Sequence, residues 1–179
     1  MTEQQGRQTR EEDFFDDDDE DTQKGKYLTF TVGKEDYGIE IYNVTEIIGI
    51  QKITDVPDMP AYIKGVINLR GKVISVMDVR LRFKMTEREY DDRTCIVVVS
   101  VGGAAVGLVV DTVKEVANIP ESQIELPPEV AEASSQSYVK GLGMIGDDIK
   151  ILLDVAKLVR REALCKMPLT GLSQPAGLA

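Results

Sequence analysis

The side-chain types that usually carry catalysis or bind metals are scarce in this 179-residue sequence. The chain contains no histidine, which is the commonest general base and the commonest metal ligand. Its two cysteines, Cys95 and Cys165, lie 70 residues apart, match no nucleophile motif and are too few for a zinc site. We therefore predict a binding protein without catalytic residues, metal site or cofactor. An enzyme with an unrecognised site is the less favoured alternative.

Two short segments look like ligand-binding motifs but lack the required context. Residues 141–146, GLGMIG, do not have the glycine spacing of a dinucleotide-binding loop and are not expected to open a helix. The neighbouring aspartates Asp147 and Asp148 are typical of a turn between two strands rather than of a metal site. Both segments therefore indicate local structure rather than chemistry.

The negative charge of the chain is concentrated at its N-terminus. The formal net charge is −10, and residues 1–25 hold ten acidic but only three basic residues. Because such a segment repels itself, we predict a disordered acidic tail over residues 1–25, with solubility favoured over partner contact as its role. A nucleic-acid-binding barrel needs a basic groove with stacking aromatics, whereas aromatics make up only 6% of this acidic chain. We therefore predict no binding of nucleic acid.

The sequence carries no recognisable secretion or membrane signal. Its N-terminus is acidic and lacks the apolar segment of a signal peptide. It contains no run of 18 apolar residues, and its two cysteines do not suggest a disulfide framework. We predict a cytoplasmic protein without direct membrane insertion.

A stretch of 22 residues occurs twice and sets the organisation of the chain. Residues 62–83 align with residues 138–159 without a gap at an offset of 76. Farther upstream, residues 32–50 align with residues 101–119 at an offset of 69, and the extra residues of the second copy fall in the polar segment 127–137. A repeat at a fixed offset indicates that one supersecondary unit was built twice.

Each copy shows the pattern of a small β-structure. Apolar and polar residues alternate over short segments separated by turn residues, which predicts about five strands per half. Because closure removes exposed strand edges, we predict a mainly β fold of two homologous five-stranded β-barrel subdomains. The predicted units are a first half at 26–90, a second half at 91–163 that ends in a C-terminal helix, and a flexible tail at 164–179.

Short helices are predicted beside the strands. Asp78 can cap a helix over residues 79–83, and its counterpart Asp154 can cap a helix that runs to about residue 163. We also expect one helical turn at residues 43–47, followed by a short strand near 48–51.

The two copies differ most clearly at one polar hairpin turn. The first copy reads NLRG at residues 68–71, whereas the second has Met144 in place of Asn68 and Gly146 in place of Arg70. An asparagine beside a turn often bonds its own backbone, so this role and a partner contact both stay open for Asn68. Because the second copy is expected to fold without these residues, the turn of the first copy points towards function.

The residues around this turn carry a family resemblance. The segment KGVINLRGKVISVMDVR follows FTVGKEDYGIEIYNVTEIIG and precedes VGLVVDTVKEV. Through these three motifs, over about residues 26–160, the chain resembles the CheW family of bacterial chemotaxis coupling proteins. It implies two five-stranded barrels related by a pseudo-twofold axis and a scaffold without enzymatic activity. The implied partners are the histidine kinase CheA, whose regulatory domain has the same fold, and the cytoplasmic tips of methyl-accepting chemoreceptors. Recruitment to membrane-associated receptor arrays is implied as well.

The resemblance also implies which residues take part in coupling. Val44, Glu46 and Arg70 match positions that the family associates with partner coupling. We expect Glu46 to end the short helical turn and Arg70 to lie at the hairpin turn, where a pair between them can shape a docking surface. The alternative is an ordinary exposed ion pair worth about 0–1 kcal/mol. With the turn residues, the predicted partner-binding set is Val44, Glu46, Asn68, Arg70 and Gly71.

Two further expectations follow from the resemblance. A receptor tip is a helical hairpin, so the family implies an apolar groove between the halves to receive it. The alternative function is a CheW-like regulatory module of a larger signalling protein of the CheV or CheA type. The residues that flank the resembling region are too few for a receiver or kinase domain, which argues against this alternative.

Overall fold

The computed structural model describes residues 22–126 and 138–159. Several sequence-based predictions fall wholly or mostly outside these residues: the disordered acidic tail, the polar segment 127–137, the end of the last helix near residue 163 and the flexible tail at 164–179. The structural statements below concern the described residues.

The described part of the chain is built mainly from strands, as the sequence predicts. Eleven strands are present: β1 Lys26–Val32, β2 Glu35–Glu40, β3 Val44–Gly49, β4 Ile63–Leu69, β5 Lys72–Asp78, β6 Cys95–Val101, β7 Ala104–Val110, β8 Thr112–Asn118, β9 Ile124–Glu125, β10 Val139–Ile145 and β11 Asp148–Leu153. The helices are short: two 3-10 turns at Ile41–Asn43 and Glu121–Gln123, α1 at Val79–Arg82 and α2 at Val155–Leu158.

The strands form two sheets that share the same connectivity over five strands, and sheet A has β9 in addition. Sheet A has the order β8-β1-β2-β11-β10-β9, and sheet B has the order β3-β6-β7-β5-β4. Neighbouring strands are antiparallel except for β5 beside β7 and β11 beside β2, which are parallel. These two parallel pairs occupy equivalent places in the repeat, so the duplication seen in the sequence is present in the topology.

The sheets do not follow the two sequence halves. The β1–β2 hairpin comes from the first copy but lies in sheet A with strands of the second copy, and the β6–β7 hairpin makes the reverse exchange. Our expectation that each copy builds its own barrel is therefore wrong in this respect, because each sheet needs a hairpin from the other copy. The boundary at residues 90 and 91 stays a prediction, and so does closure of either sheet into a barrel.

The hydrophobic core lies mainly between the two sheets. The largest apolar cluster combines Phe30 and Ile39 of sheet A with Val97 and Leu108 of sheet B, each fully buried, and it includes Leu158 of α2. A second cluster lies within sheet B and a small third cluster within sheet A. Because the central cluster takes side chains from both sheets, the two sheets stabilise each other.

Both predicted helix caps are present. The Asp78 carboxylate accepts a hydrogen bond from the backbone N–H of Leu81 at 3.3 Å, and Asp154 accepts one from Lys157 at 3.1 Å. Each carboxylate satisfies a backbone donor that has no partner within the first helical turn. The repeat thus preserves the strand-to-helix junction in both copies.

The helical turn predicted at residues 43–47 is wrong. The helical turn is the 3-10 segment Ile41–Asn43, and β3 begins at Val44. Along β3 half-buried and exposed residues alternate, as is typical of a strand with one covered face. Val44, Ile47 and Ile48 are β-branched and prefer this extended backbone.

Close backbone packing explains one glycine of the repeat. Thr54, in the segment after β3, exchanges two hydrogen bonds with Val66 on β4, at 2.8 and 2.9 Å. Gly65 beside it has φ of +143°, and a Cβ there would lie 2.0 Å from the Thr54 carbonyl oxygen. Only glycine fits at this contact.

Candidate docking surface

The turn between β4 and β5 holds an arginine in a backbone conformation that favours glycine. Arg70 has φ of +52° and Gly71 has φ of +82°, so both central residues of the two-residue loop are left-handed, as in a type I′ turn. A side chain in this conformation costs on the order of 1 kcal/mol. At the equivalent position of the second copy, Gly146 has φ of +60° and avoids that cost. The arginine is therefore not what the turn requires, which favours a role outside folding.

Asn68 stabilises the same turn. Its side-chain oxygen accepts a hydrogen bond from the backbone N–H of Gly71 at 2.9 Å. This contact is the local backbone role that the sequence left open. The Asn68 side chain lies at the surface, and its role as a partner contact stays a prediction.

The predicted pair between Glu46 and Arg70 is formed. Arg70 Nη2 donates to Glu46 Oε2 at 2.8 Å, with 78% of the Arg70 side chain and 21% of the Glu46 side chain exposed. Glu46 lies on strand β3 rather than at the end of a helical turn. Strands β3 and β4 are the two edges of sheet B, so the pair joins these edges. An exposed pair contributes about 0–1 kcal/mol to stability, so this contact places the guanidinium beside Glu46 but adds little to the stability of the fold.

Val44 lies apart from this pair. A β-bulge between Val44 and Glu46 places one extra residue, Thr45, opposite β6. Bulges redirect neighbouring side chains. Val44 is half-buried and packs against the central core between the sheets. The structure thus brings together Glu46, Asn68, Arg70 and Gly71 but not Val44.

Sequence reasoning missed two exposed apolar side chains near the turn. Val73 on β5 is the cross-strand neighbour of Asn68 and is 56% exposed, and Ile47 follows Glu46 on β3 and is 44% exposed. Their counterparts in the second copy, Val116 and Ile149, are also at least half exposed. The repeat alignment contains the missing signal, because both copies place β-branched residues at outward strand positions.

The side chains of this surface include a guanidinium, an amide and aliphatic groups. Among residues 22–126 and 138–159, no group of three or more Cys, Asp or Glu side chains is placed to hold a metal ion. Within the same residues, every helix is too short or too polar to cross a membrane. The surface offers the exposed guanidinium of Arg70, a polar turn and the exposed side chain of Val73 opposite Asn68.

Comparison with known proteins identifies the family. A family model described as CheW-like domain matches residues 26–163. The chemotaxis protein CheW of Klebsiella aerogenes is 39% identical over 139 residues, which cover 78% of this chain and 84% of the relative. The chemotaxis protein CheW of Bacillus subtilis is 32% identical over 138 residues, which cover 77% and 88%.

A solved structure gives the same result. The crystal structure of the scaffolding protein TtCheW from Thermoanaerobacter tengcongensis is similar with a TM-score of 0.67 and 36% sequence identity, covering 73% of this chain and 88% of that chain. This similarity confirms the mainly β fold class. Together with the sequence relatives it confirms the predicted resemblance and the prediction that the protein is not an enzyme. The chain belongs to the CheW-like domain family.

Proposed function

We propose that this protein is a chemotaxis scaffold that couples the cytoplasmic tips of chemoreceptors to the histidine kinase CheA. Support comes from its family and from relatives that are named chemotaxis protein CheW. In this proposal the protein acts in the cytoplasm, at membrane-associated receptor arrays, and places kinase activity under receptor control.

The observation that carries the proposal is the conformation of Arg70. Its left-handed backbone is unfavourable for an arginine, its guanidinium is held by Glu46, and its side chain is 78% exposed. Arginine is enriched among the residues that dominate binding at protein interfaces, where its planar guanidinium can donate several hydrogen bonds at once. The counterpart Gly146 cannot make such a contact, so the two copies offer partners different surfaces.

The repeat also supports two points of attachment. Each sheet exposes two aliphatic side chains at positions that the repeat relates: Ile47 and Val73 on sheet B, and Val116 and Ile149 on sheet A. A scaffold that binds a kinase domain of similar fold and a receptor needs more than one contact surface. The apolar groove that receives the receptor tip stays a prediction.

Co-sedimentation tests the proposal. Membranes that contain a chemoreceptor are mixed with CheA and this protein, singly and together, and the pelleted fraction of each protein is measured. The proposal predicts strong sedimentation only when all three components are present. Equal, low sedimentation of this protein with and without its two partners contradicts the proposal.

A matched pair of variants adds a surface-specific readout. Arg70→Ala removes the exposed guanidinium, and Lys34→Ala removes an exposed basic side chain from the β1–β2 turn of sheet A. We expect Arg70→Ala to lower the pelleted fraction and Lys34→Ala to leave it unchanged.

A further inference from the structure

A polar cavity lies between the two sheets, away from the Arg70 turn. Its volume is about 400 Å³, within the range of small-ligand sites in proteins. It opens beside the first 3-10 turn, the β6–β7 turn and the start of α2. The lining residues that matter for the argument are Glu40, Tyr42, Asn43, Lys140, Asp154 and Ala156.

The internal repeat shows what fills the equivalent place in the first copy. The repeat offsets relate Ala156 to Arg80 and Tyr42 to Asp111. Arg80 donates from Nε and Nη2 to the Asp111 carboxylate at 2.8 and 2.6 Å, and both side chains are mostly buried. Asp111 also accepts from the backbone N–H of Gly33 at 2.9 Å. An arginine of the chain itself therefore occupies this place in one copy.

In the second copy no arginine fills this place, but the groups around it still favour a positive charge. Alanine at position 156 leaves the space of the guanidinium open. The cavity lining includes Glu40, which pairs with Lys140, and Asp154, whose carboxylate also caps α2, so the lining carries one more negative than positive group. An anionic ligand would be repelled by this excess of negative charge, so the cavity favours a positively charged group.

Tyr42 supplies the second feature that a guanidinium needs. It stands where the first copy has Asp111, lines the cavity and is 63% exposed. The planar guanidinium stacks on aromatic faces and donates hydrogen bonds to carboxylates at its edges. Within the same molecule Arg82 shows the aromatic half of this pattern: its guanidinium carbon lies 4.8 Å from the ring centre of Tyr62 and 5.0 Å from that of Tyr138, while its Nε donates to the Leu158 carbonyl.

We propose that this cavity binds the guanidinium of an arginine side chain supplied by a partner protein, which takes the place that Arg80 fills in the first copy. The site is independent of the Arg70 turn. It therefore goes beyond the proposed coupling function and can be tested without receptor or kinase.

The direct test is a titration of the full chain with the peptide acetyl-Gly-Arg-Gly-amide, followed by the amide NMR signals. We expect saturable shifts confined to residues that line the cavity, such as Asn43, Gly102 and Ala156. The same peptide with citrulline has the shape of arginine without its charge and should bind roughly tenfold more weakly. Absence of saturable shifts, or equal binding of the citrulline peptide, overturns the proposal.

Two variants separate this cavity from other surfaces. Ala156→Arg places a guanidinium in the cavity from within the chain and should abolish binding of the peptide. Tyr42→Ala removes the exposed ring, leaves the core intact and should weaken binding severalfold. Ala156→Gln is the uncharged control for side-chain length and should retain more binding than Ala156→Arg. If the arginine peptide binds Ala156→Arg as it binds the parent protein, the site lies elsewhere and the proposal fails.

Discussion

A buried ion pair in sheet A gives a prediction that can be worked from the structure. Lys150 on β11 is 9% exposed, and its ammonium group lies 2.5 Å from Asp36 Oδ2 on the adjacent strand β2. Asp36 also accepts from Lys114 at 2.8 Å and from the Thr31 hydroxyl at 2.9 Å. In sheet B the repeat places Ala105 and Ile74 at the positions of Asp36 and Lys150. The fold therefore tolerates two apolar side chains in place of the ion pair.

Removing one member of the pair should cost much more than removing both. Asp36→Ala leaves the Lys150 ammonium buried without a carboxylate, which costs about 3–5 kcal/mol for a fully buried pair. Because Asp36 is still 18% exposed, we expect a cost at or just below the lower end of that range, about 2–3 kcal/mol. The double variant Asp36→Ala/Lys150→Ile copies sheet B and should recover most of this loss, since an apolar replacement of a buried pair is often neutral or stabilising.

Urea denaturation, followed by far-UV circular dichroism, gives the free energies of unfolding of Asp36→Ala, Lys150→Ile and the double variant. The expected coupling between the two positions is at least about 1.5 kcal/mol, with the slope of the transition unchanged. If the two single losses simply add in the double variant, the reasoning about the buried pair is refuted.

Three further predictions follow from the same structure. Burial alone would raise the pKa of Asp36, but hydrogen bonds from Lys114, Lys150 and Thr31 lower that pKa to about 2. The ionised Asp36 therefore stabilises the fold fully above the unfolded pKa of about 3.9, and this stabilisation is lost as the pH falls towards 2. Acid titration of the urea midpoint should show a loss of about 1–2 kcal/mol after solvent screening, absent in Asp36→Ala. Arg70→Gly should leave the free energy of unfolding within about 0.5 kcal/mol of the parent, because relief of the left-handed backbone offsets the lost ion pair, yet it should lower receptor-dependent kinase stimulation. Gly65→Ala should cost about 3 kcal/mol or more, since its Cβ meets the Thr54 carbonyl; Gly71→Ala, with no atom within 4 Å of its Cβ, should cost about 1 kcal/mol by thermal unfolding.

The sequence predicts the local elements of this fold well. The hairpin around Arg70 and the caps Asp78 and Asp154 depend on residues close in sequence, and each of these patterns occurs in both copies of the repeat. The exchange of hairpins between the sheets cannot be predicted from the sequence, because the alternation of apolar and polar residues does not show which distant strands pair. The failure at residues 43–47 has the same origin: pairing of β3 with β6 decides its conformation.

The candidate site is predicted only in part. The repeat difference points to Arg70, and the resemblance adds Glu46, whose contact the structure contains. The left-handed conformation of Arg70 depends on the turn type, which Arg-Gly alone does not specify. The ion pair of Lys150 with Asp36 was missed, because these residues are 114 positions apart and meet only through the parallel pairing of β11 with β2.

Kinase stimulation in a reconstituted array of receptor, CheA and this protein tests the central claim most directly. The account predicts that the parent protein and Lys34→Ala stimulate CheA equally, whereas Arg70→Ala, folded as judged by its unfolding curve, loses about tenfold or more. Stimulation by Arg70→Ala at the parent level would contradict the assignment of the coupling surface. Absence of stimulation by the parent protein with its cognate partners would contradict the proposed function itself.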